Sequence, residues 1–529
     1  MLIDIRPRPD TRVLMLLLLL LAAFLLLYNL DHLSLSADEF FNVLLERESW
    51  SEVFAHLRAG ADLHPPLTHL IMVGWLRLVG ESEWTVRFLW AMTGVVNLAL
   101  TFRLGARLFT WQIGVVAALL LLTSPTYLLY MRFEKYYAFT ISLSLVLLLT
   151  SVALWRQQTP LRVAAYALTL VTLLYTDYLA PLLLTLSLNV LIFCIGRNRE
   201  RMLAFFGAQA IAALCYLPWL SVMATQAAIL QGGAQADLGR SGAGLIAALL
   251  YWPFSIGVGE TLFPWRAGGA LGAAAVAMLA VNGVKASLTS PVSAISRPGM
   301  ALLATLALSL VGAAALTTWI FASVPFIAFP NHTLFAAPLF ALLLAVGAAA
   351  LARRWSIPLV SLLLFARMIG IGNYFTATDY HNPIYVVPMR EIVQEMMSRA
   401  QRDEMLIATP DVGVHYYYDR LAIDPMQEYP AMIVLERLEP TVARITADNP
   451  ARIWLFQFGR DRTAGLGVEQ ALAQWLAAHG YKLQRETGYV EQDPVYRQLK
   501  TILFQRPAYQ YKLVIQEYLR QAEPDTPRS

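Results

Sequence analysis

The sequence predicts a polytopic α-helical membrane protein with about eleven transmembrane helices and a C-terminal extracytoplasmic α/β domain. Three observations carry that reading. Of 529 residues, 57% are hydrophobic and 14% charged, and mean hydropathy is +0.53. Apolar runs long enough for a bilayer recur along residues 13–374. Charge gathers behind them: residues 374–529 hold 20 of the 36 acids and 17 of the 40 bases. The composition excludes a soluble globular chain, a disordered chain and a basic nucleic-acid binder. A net charge of +4 selects no partner by itself.

About 20 apolar residues cross roughly 30 Å of hydrocarbon at 1.5 Å per residue. The runs that qualify are Val13–Leu30, Phe88–Leu104, Ile113–Tyr130, Ala138–Trp155, Val163–Thr176 and Leu179–Ile195. They continue with Met202–Leu220, Gly269–Val284, Met300–Ile320, Thr333–Leu351 and Ser356–Tyr374. The first run is eighteen residues long. It exceeds the roughly 7–15 apolar residues of a signal peptide, so it reads as a retained span. Lys and Arg mark cytoplasmic loops. With the N-terminus inside, inner connections collect fourteen bases (Arg6, Arg8, Arg12, Arg103, Arg107, Arg156, Arg162, Arg197, Arg199, Arg201, Lys285, Arg297, Arg353 and Arg354). Outer ones collect four: Arg132, Lys135, Arg240 and Arg266. Counting Ala243–Val258 as a further span would spoil that asymmetry. Broken by Pro253, it reads as a re-entrant or interfacial helix on the outer face.

The domains are therefore 1–374 in the membrane, with a first outer loop over 31–87, and 375–529 outside. In the tail, Met389–Ala400 and Val468–His479 read as helices and Met405–Thr409 and Ile453–Phe458 as strands. Glu523–Ser529 reads as a frayed end. Cys194 and Cys215 both lie in apolar runs and build no disulfide or zinc pattern.

The first outer loop contains nine of the sixteen acids of the membrane part and four of the eight histidines. Most of these charges read as a solvated face. Asp38–Glu39 stands out, lying just past the first span and followed by Phe40–Phe41. A carboxylate pair against apolar surface suits a general base or a metal ligand. Its structural alternative is a helix start at Ser36–Ala37–Asp38–Glu39. His64–Pro65–Pro66–Leu67 opens an amphipathic stretch too short to span and presents His64 at the membrane mouth. Arg132–Phe133–Glu134–Lys135–Tyr136–Tyr137 places cations and hydroxyls at the outer interface, where they suit a phosphate. Arg367 is the one base well inside a span, a functional candidate by default with snorkelling as its alternative.

Asp38–Glu39, His64–Pro65–Pro66–Leu67, Arg87 at the opening of the second span, the Arg132–Tyr137 cluster and Leu217–Pro218–Trp219 together resemble the GT-C superfamily of integral-membrane glycosyltransferases. The nearest type is family 39/83, related to protein O-mannosyltransferases and the lipid A aminoarabinose transferase. The resemblance covers most of residues 10–375. It implies a GT-C fold, a polyprenyl-phosphate sugar donor with its tail in the bilayer, an unidentified lipid, glycan or protein acceptor, no nucleic-acid partner and a plasma-membrane location. It also implies inverting transfer to an acceptor hydroxyl outside the cytoplasm, with Asp38 as base and Glu39 supporting it. The implied substrate-binding residues are His64, Arg87, Arg132, Glu134, Lys135, Tyr137, Asp177, Tyr178, His332 and Arg367. A divalent cation is left open, with Glu39, His64 and His332 as candidate ligands. The chain departs from its relatives at Glu134, the nearest acid after the third span, and at Asp177–Tyr178, where many carry His–Tyr. It departs again where Asn331 and His332 precede Pro338. Two other readings exist. A transporter would show repeats and midplane polar groups, whereas here polar residues gather at one face. A non-catalytic envelope assembly protein would tolerate Asp38→Asn.

Overall fold

Leu, Ala and Val dominate residues 9–375, and in a bilayer such segments form helices because every backbone N–H and C=O must then be satisfied within the chain. The computed structural model describes residues 9–195, 198–232, 242–289, 293–319, 330–408, 413–422, 429–458, 466–504 and 509–521. Arg6, Arg8, Arg197, Arg240, Ile320, Thr409 and Glu523–Ser529 lie outside the described residues. Two compact units emerge. Residues 1–30 and 42–381 form the first; residues 31–41 and 382–529 form the second.

The helices begin with α1 (Pro9–Leu27), α2 (Ala37–Glu46), α3 (Trp50–Ala59), α4 (Leu67–Val79), α5 (Glu83–Leu108) and α6 (Trp111–Leu122). There follow α7 (Pro125–Met131), α8 (Tyr137–Arg156), α9 (Pro160–Leu174), α10 (Leu179–Ile195) and α11 (Arg199–Gly232). The first unit ends with α12 (Gly242–Gly257), α13 (Ala267–Thr289), α14 (Ser293–Trp319), a 3-10 segment Pro330–Ala336, α15 (Ala337–Ala350) and α16 (Arg353–Phe375). Among the described residues seven helices are long and apolar enough to cross a membrane, or eight with one bent pair counted as a span. The bent pair is α6 and α7, which meet at 70°. It replaces the single run expected over Ile113–Tyr130. Pro125 disfavours helical geometry at Ser124 and itself starts a new helix, capped by the Ser124 hydroxyl. The runs expected at Val13–Leu30, Val163–Thr176 and Leu179–Ile195 form shorter apolar helices.

Small residues let the bundle close. A Cβ on Gly347 of α15 would overlap the Leu279 carbonyl oxygen of α13, and one on Gly283 would overlap the Leu343 carbonyl. Each glycine thus faces the other helix's backbone, the close approach that membrane helices use in place of a hydrophobic drive.

The second unit is α/β. Strands β1 (Glu404–Ala408), β2 (Ala431–Val434), β3 (Arg452–Phe458), β4 (Tyr481–Glu491) and β5 (Tyr511–Arg520) form one sheet in the order β2-β1-β3-β5-β4. β1 runs parallel to β2 and β3, while β5 is antiparallel to β3 and β4. α17 (Met389–Arg399) opens the tail, α18 (Val414–Leu421) precedes β2 and α19 (Leu438–Asp448) crosses from β2 to β3. α20 (Leu466–Ala478) crosses from β3 to β4, and α21 (Pro494–Phe504) precedes β5. Met405, Ile407, Ile445, Ile453, Leu455, Leu472 and Leu476 form a buried core. The two strands and two helices legible in the sequence all form, within one or two residues of their expected ends over the described positions.

Gly347→Ala is expected to lower the melting temperature of purified protein in detergent, at a cost of about 1–3 kcal/mol from overpacking. Gly74→Ala, where the added methyl meets nothing within 4 Å, is the control and should be neutral or mildly stabilising.

Candidate functional site

In the first unit the functional side chains are placed by interruptions of helices. Gly60, at φ +78°, ends α3 in the left-handed conformation and turns the chain into Ala61–Pro66. Pro65 and Pro66 lack N–H groups, so the first donor of α4 is Leu67, which bonds the Tyr175 carbonyl at the end of α9 at 3.0 Å. Gln226 of α11 holds the other side of this loop, donating to the carbonyls of Leu57 and Asp62, both at 3.0 Å.

That loop carries a chain of buried ionisable groups. His69 Nδ1 lies 2.9 Å from Glu46 Oε1 and its Nε2 lies 3.4 Å from Asp62 Oδ2. The other Asp62 oxygen meets His64 Nδ1. Burial works against the His69 cation, but hydrogen bonds and charge from Asp62 and Glu46 outweigh it and raise its pKa to about 9. Burial likewise opposes the Asp62 anion, and His64 and His69 overcome it, holding the carboxyl well below its usual range. At Glu46 burial prevails over His69, and the pKa rises to about 7. The solvated-face reading of Glu46, Asp62 and His69 is therefore corrected. Their partners stand 7 to 23 residues apart in sequence, so no local pattern announces them; the close Asp62–His64 spacing was the one available signal.

From His64 the cluster extends to the turn between α7 and α8. The His64 and Tyr136 rings are 4.8 Å apart, and the Tyr136 hydroxyl is 3.4 Å from His332 Nδ1. Asn331 donates to the Tyr137 hydroxyl at 2.7 Å. Tyr178 donates to Gln226 at 2.6 Å and accepts from Trp219 Nε1 at 2.9 Å. Asp177 accepts the N–H groups of Leu179 and Ala180 at 2.6 and 3.1 Å, which makes it the cap of α10. Burial raises its pKa against those bonds. Of the expected site residues, then, the structure brings together His64, Tyr137, Asp177, Tyr178 and His332 with Tyr136 and Asn331.

The arginines are committed elsewhere. Arg132 donates from Nε to the Tyr374 hydroxyl at 2.9 Å and to the carbonyls of Leu25, Tyr28 and Asn29 at 2.8, 2.7 and 2.7 Å. It closes the C-terminal end of α1. Arg367 is buried and does not snorkel; it bonds the carbonyl of Gly257 at 2.7 Å, that of Leu120, and the Thr123 hydroxyl at 3.3 Å. Arg87 bonds the Leu30 carbonyl at 3.2 Å. Glu134 is buried, its carbonyl accepting from Asn42 at 3.3 Å, and Lys135 is half-buried in the same turn.

A further buried acid, Glu260, also went unseen in the sequence. Glu260 accepts the hydroxyls of Tyr130, Ser255 and Tyr251 at 2.7, 3.0 and 3.1 Å, and burial raises its pKa. Tyr251 also sits 2.8 Å from His381 Nδ1, and burial pulls His381 down to about 4.

In the second unit Asp38 is exposed in the first turn of α2. Glu39 accepts the Ser36 N–H at 3.0 Å, the carboxylate half of a capping box. The segment is held by Ser34, which bonds Glu391 and the Arg390 N–H, each at 3.0 Å, and by the Leu35 N–H on the Tyr417 hydroxyl at 2.6 Å. Gly413, at φ +65°, lies flat on the Phe40 ring where a Cβ would clash. Among the described residues no group of three or more His, Cys, Asp or Glu side chains is arranged to hold a metal ion. His64 and His332 each direct a ring nitrogen to a protein partner instead.

A broken-helix membrane bundle joined to a mixed α/β unit is the GT-C fold. Residues 63–222 match the family model of dolichyl-phosphate-mannose-protein mannosyltransferases. ArnT from Cupriavidus metallidurans bound to undecaprenyl phosphate aligns at TM-score 0.55 and 13% identity, over 97% of this chain and 98% of that one. Its apo state aligns at 0.54 and 12%, over 96% and 97%. No curated protein matches in sequence. The chain is a multi-pass membrane protein similar to GT-C glycosyltransferases.

Folded-state stability should fall as pH rises. His69, raised from 6.5 to about 9, contributes fully below pH 6.5 and loses that contribution through pH 9. Glu46, raised from 4.5 to about 7, loses its own earlier, between those values. Melting temperatures should therefore decline from pH 6 to 9.5, with His69 alone losing on the order of 3 kcal/mol of stabilisation. His69→Gln should start lower and show a flatter slope; parallel curves would contradict this account.

Proposed function

We propose that the protein transfers a sugar from a polyprenyl-phosphate carrier to an acceptor hydroxyl, inverting the anomeric centre, with Asp38 as general base. One observation carries this reading: the fold match runs over 97% of the chain to a protein captured with undecaprenyl phosphate. The mannosyltransferase family match over 63–222 supports the same class of donor.

In this reading the acceptor oxygen attacks the sugar's anomeric carbon as the bond to the carrier phosphate breaks. The hydroxyl proton passes to the Asp38 carboxylate, and the carrier leaves as its phosphate. Asp38 suits the base because it is exposed on a helix turn, and Glu39 fixes that turn through the Ser36 N–H. Phosphate is already a competent leaving group, so fixed cations and hydroxyls can replace a general acid. Arg132 and Arg367 donate to carbonyls, so the phosphate contact in this proposal falls to Lys135 and the tyrosines of the α7–α8 turn. No step in this reading is routed through a divalent cation. We place the N-terminus in the cytoplasm and residues 375–529 outside, following the fourteen-to-four distribution of bases.

Purified protein incubated with a polyprenyl-phosphate sugar and acceptor lipids should release polyprenyl phosphate. Asp38→Asn should remain folded and lower the rate by about 10²–10⁴-fold. Unchanged release from that variant would remove Asp38 from the mechanism.

A further inference from the structure

A cavity of the first unit shares no lining residue with the His64 cluster. Its volume is about 440 Å³, within the usual range for ligand sites. Its walls are apolar, built from α5, α8, α10, α11, α14 and the start of α15, and reach from the last turns of α5 and α8 to Leu148 and Thr305 in mid-helix. Its rim is not apolar. Arg107, Arg156 and Arg297 line it, and no acid does. Arg103 and Arg162 also act electrostatically on Arg107. Arg201 stacks on Trp155, another wall residue, with its guanidinium carbon 4.7 Å from the ring centre.

Three arginines line this mouth, Arg156, Arg103 and Arg162 repel Arg107, and no acid on the lining offsets them. Arg107 shows the consequence most plainly: its Nε is buried and has no hydrogen-bond partner among the described residues. Arg132 and Arg367, by contrast, fill their donors with carbonyls. A buried guanidinium N–H without an acceptor is costly, and an anion supplies both the missing acceptor and the missing charge.

We infer that this cavity is a binding site for an anionic glycerophospholipid, with its phosphate on Arg107, Arg156 and Arg297 and one acyl chain in the apolar pocket. Basic mouths between membrane helices select such headgroups, and the rim consists of bases of the inner connections defined by charge asymmetry. The site is separate from the proposed transfer reaction and does not depend on it.

Delipidated full-length protein in detergent is titrated with phosphatidylglycerol and with phosphatidylcholine of matched chains, and bound lipid is counted by native mass spectrometry. Phosphatidylglycerol should half-saturate one site at a concentration at least about tenfold lower, the minimum for one charge-assisted hydrogen bond. Arg107→Gln/Arg156→Gln should abolish that preference, and Ser151→Trp, which fills the cavity, should weaken both lipids. Arg297 is exposed, so Arg297→Gln tests the rim at little risk to folding and should reduce the preference several-fold. Equal binding of the two lipids, or a preference that survives these substitutions, would overturn the proposal. Stoichiometric displacement of phosphatidylglycerol by polyprenyl phosphate would also overturn it, by assigning the cavity to the donor lipid's tail.

Discussion

Backbone carbonyls left over at helix ends, away from water, are the constraint from which the membrane unit is built. An uninterrupted helix satisfies its own backbone, but this bundle breaks its helices after α6, after α12 and before α15. The ends of α6 and α12 are closed by side-chain donors from elsewhere in the chain. Ser124 and Thr126 donate to the carbonyls of Ile256 and Ser255 at 3.1 and 2.6 Å, which joins the start of α7 to the end of α12. Two further bonds tie the broken segments to their neighbours: the Tyr127 hydroxyl to the mid-helix Gly94 carbonyl of α5 at 2.6 Å, and Trp252 Nε1 to the Thr333 hydroxyl at 2.7 Å. Arg132 and Arg367 do the same with more donors at once. The α7–α8 turn therefore stands where it does because its neighbours need its hydrogen bonds.

Two arginines expected to face a phosphate thus also hold helix ends. A guanidinium presents the same fork of donors to a phosphate, a carboxylate or a set of carbonyl oxygens. Sequence shows the donor and its place in a span; it does not show which acceptor arrives. Three carbonyls from the end of α1 reach Arg132 across more than a hundred residues of chain, a contact without local periodicity. By the same logic Asp177 was more legible than its expected role suggests. An acid followed by Tyr178, Leu179 and Ala180 at the start of an apolar run is a helix cap by pattern, and the structure makes it one.

The fold class and most helix positions were legible because hydropathy over twenty residues is a bulk property that tolerates local error. The sheet was half legible: β1 is short and buried throughout and β3 is buried at five of seven positions, whereas β4 is largely exposed and carries Lys482, Arg485, Glu486 and Glu491, so it lacks the contrast that marks a buried strand. At the site, His64 announced itself through the two prolines beside it. Glu46, Asp62, His69 and Glu260 did not, because a buried acid and a solvated one look alike until the fold brings their partners.

Those acids show two answers to the same electrostatic problem. Isolated charge in a low dielectric is expensive, and a protein can pair it or neutralise it. Around His69 the chain pairs: two carboxylates face two imidazoles, and Asp62 stays ionised because an imidazole meets each of its oxygens. At Glu260 no cation is among the groups that shift it; three hydroxyls surround it, and burial favours its protonated form. His381, one tyrosine further on, is likewise held neutral by burial. The first arrangement keeps charge beside His64 and remains responsive to pH near neutrality. The second is inert over that range and serves to join α7, α12 and the end of α16. Polar groups of similar kind thus divide by partner chemistry into a set able to handle protons and a set that only fixes geometry.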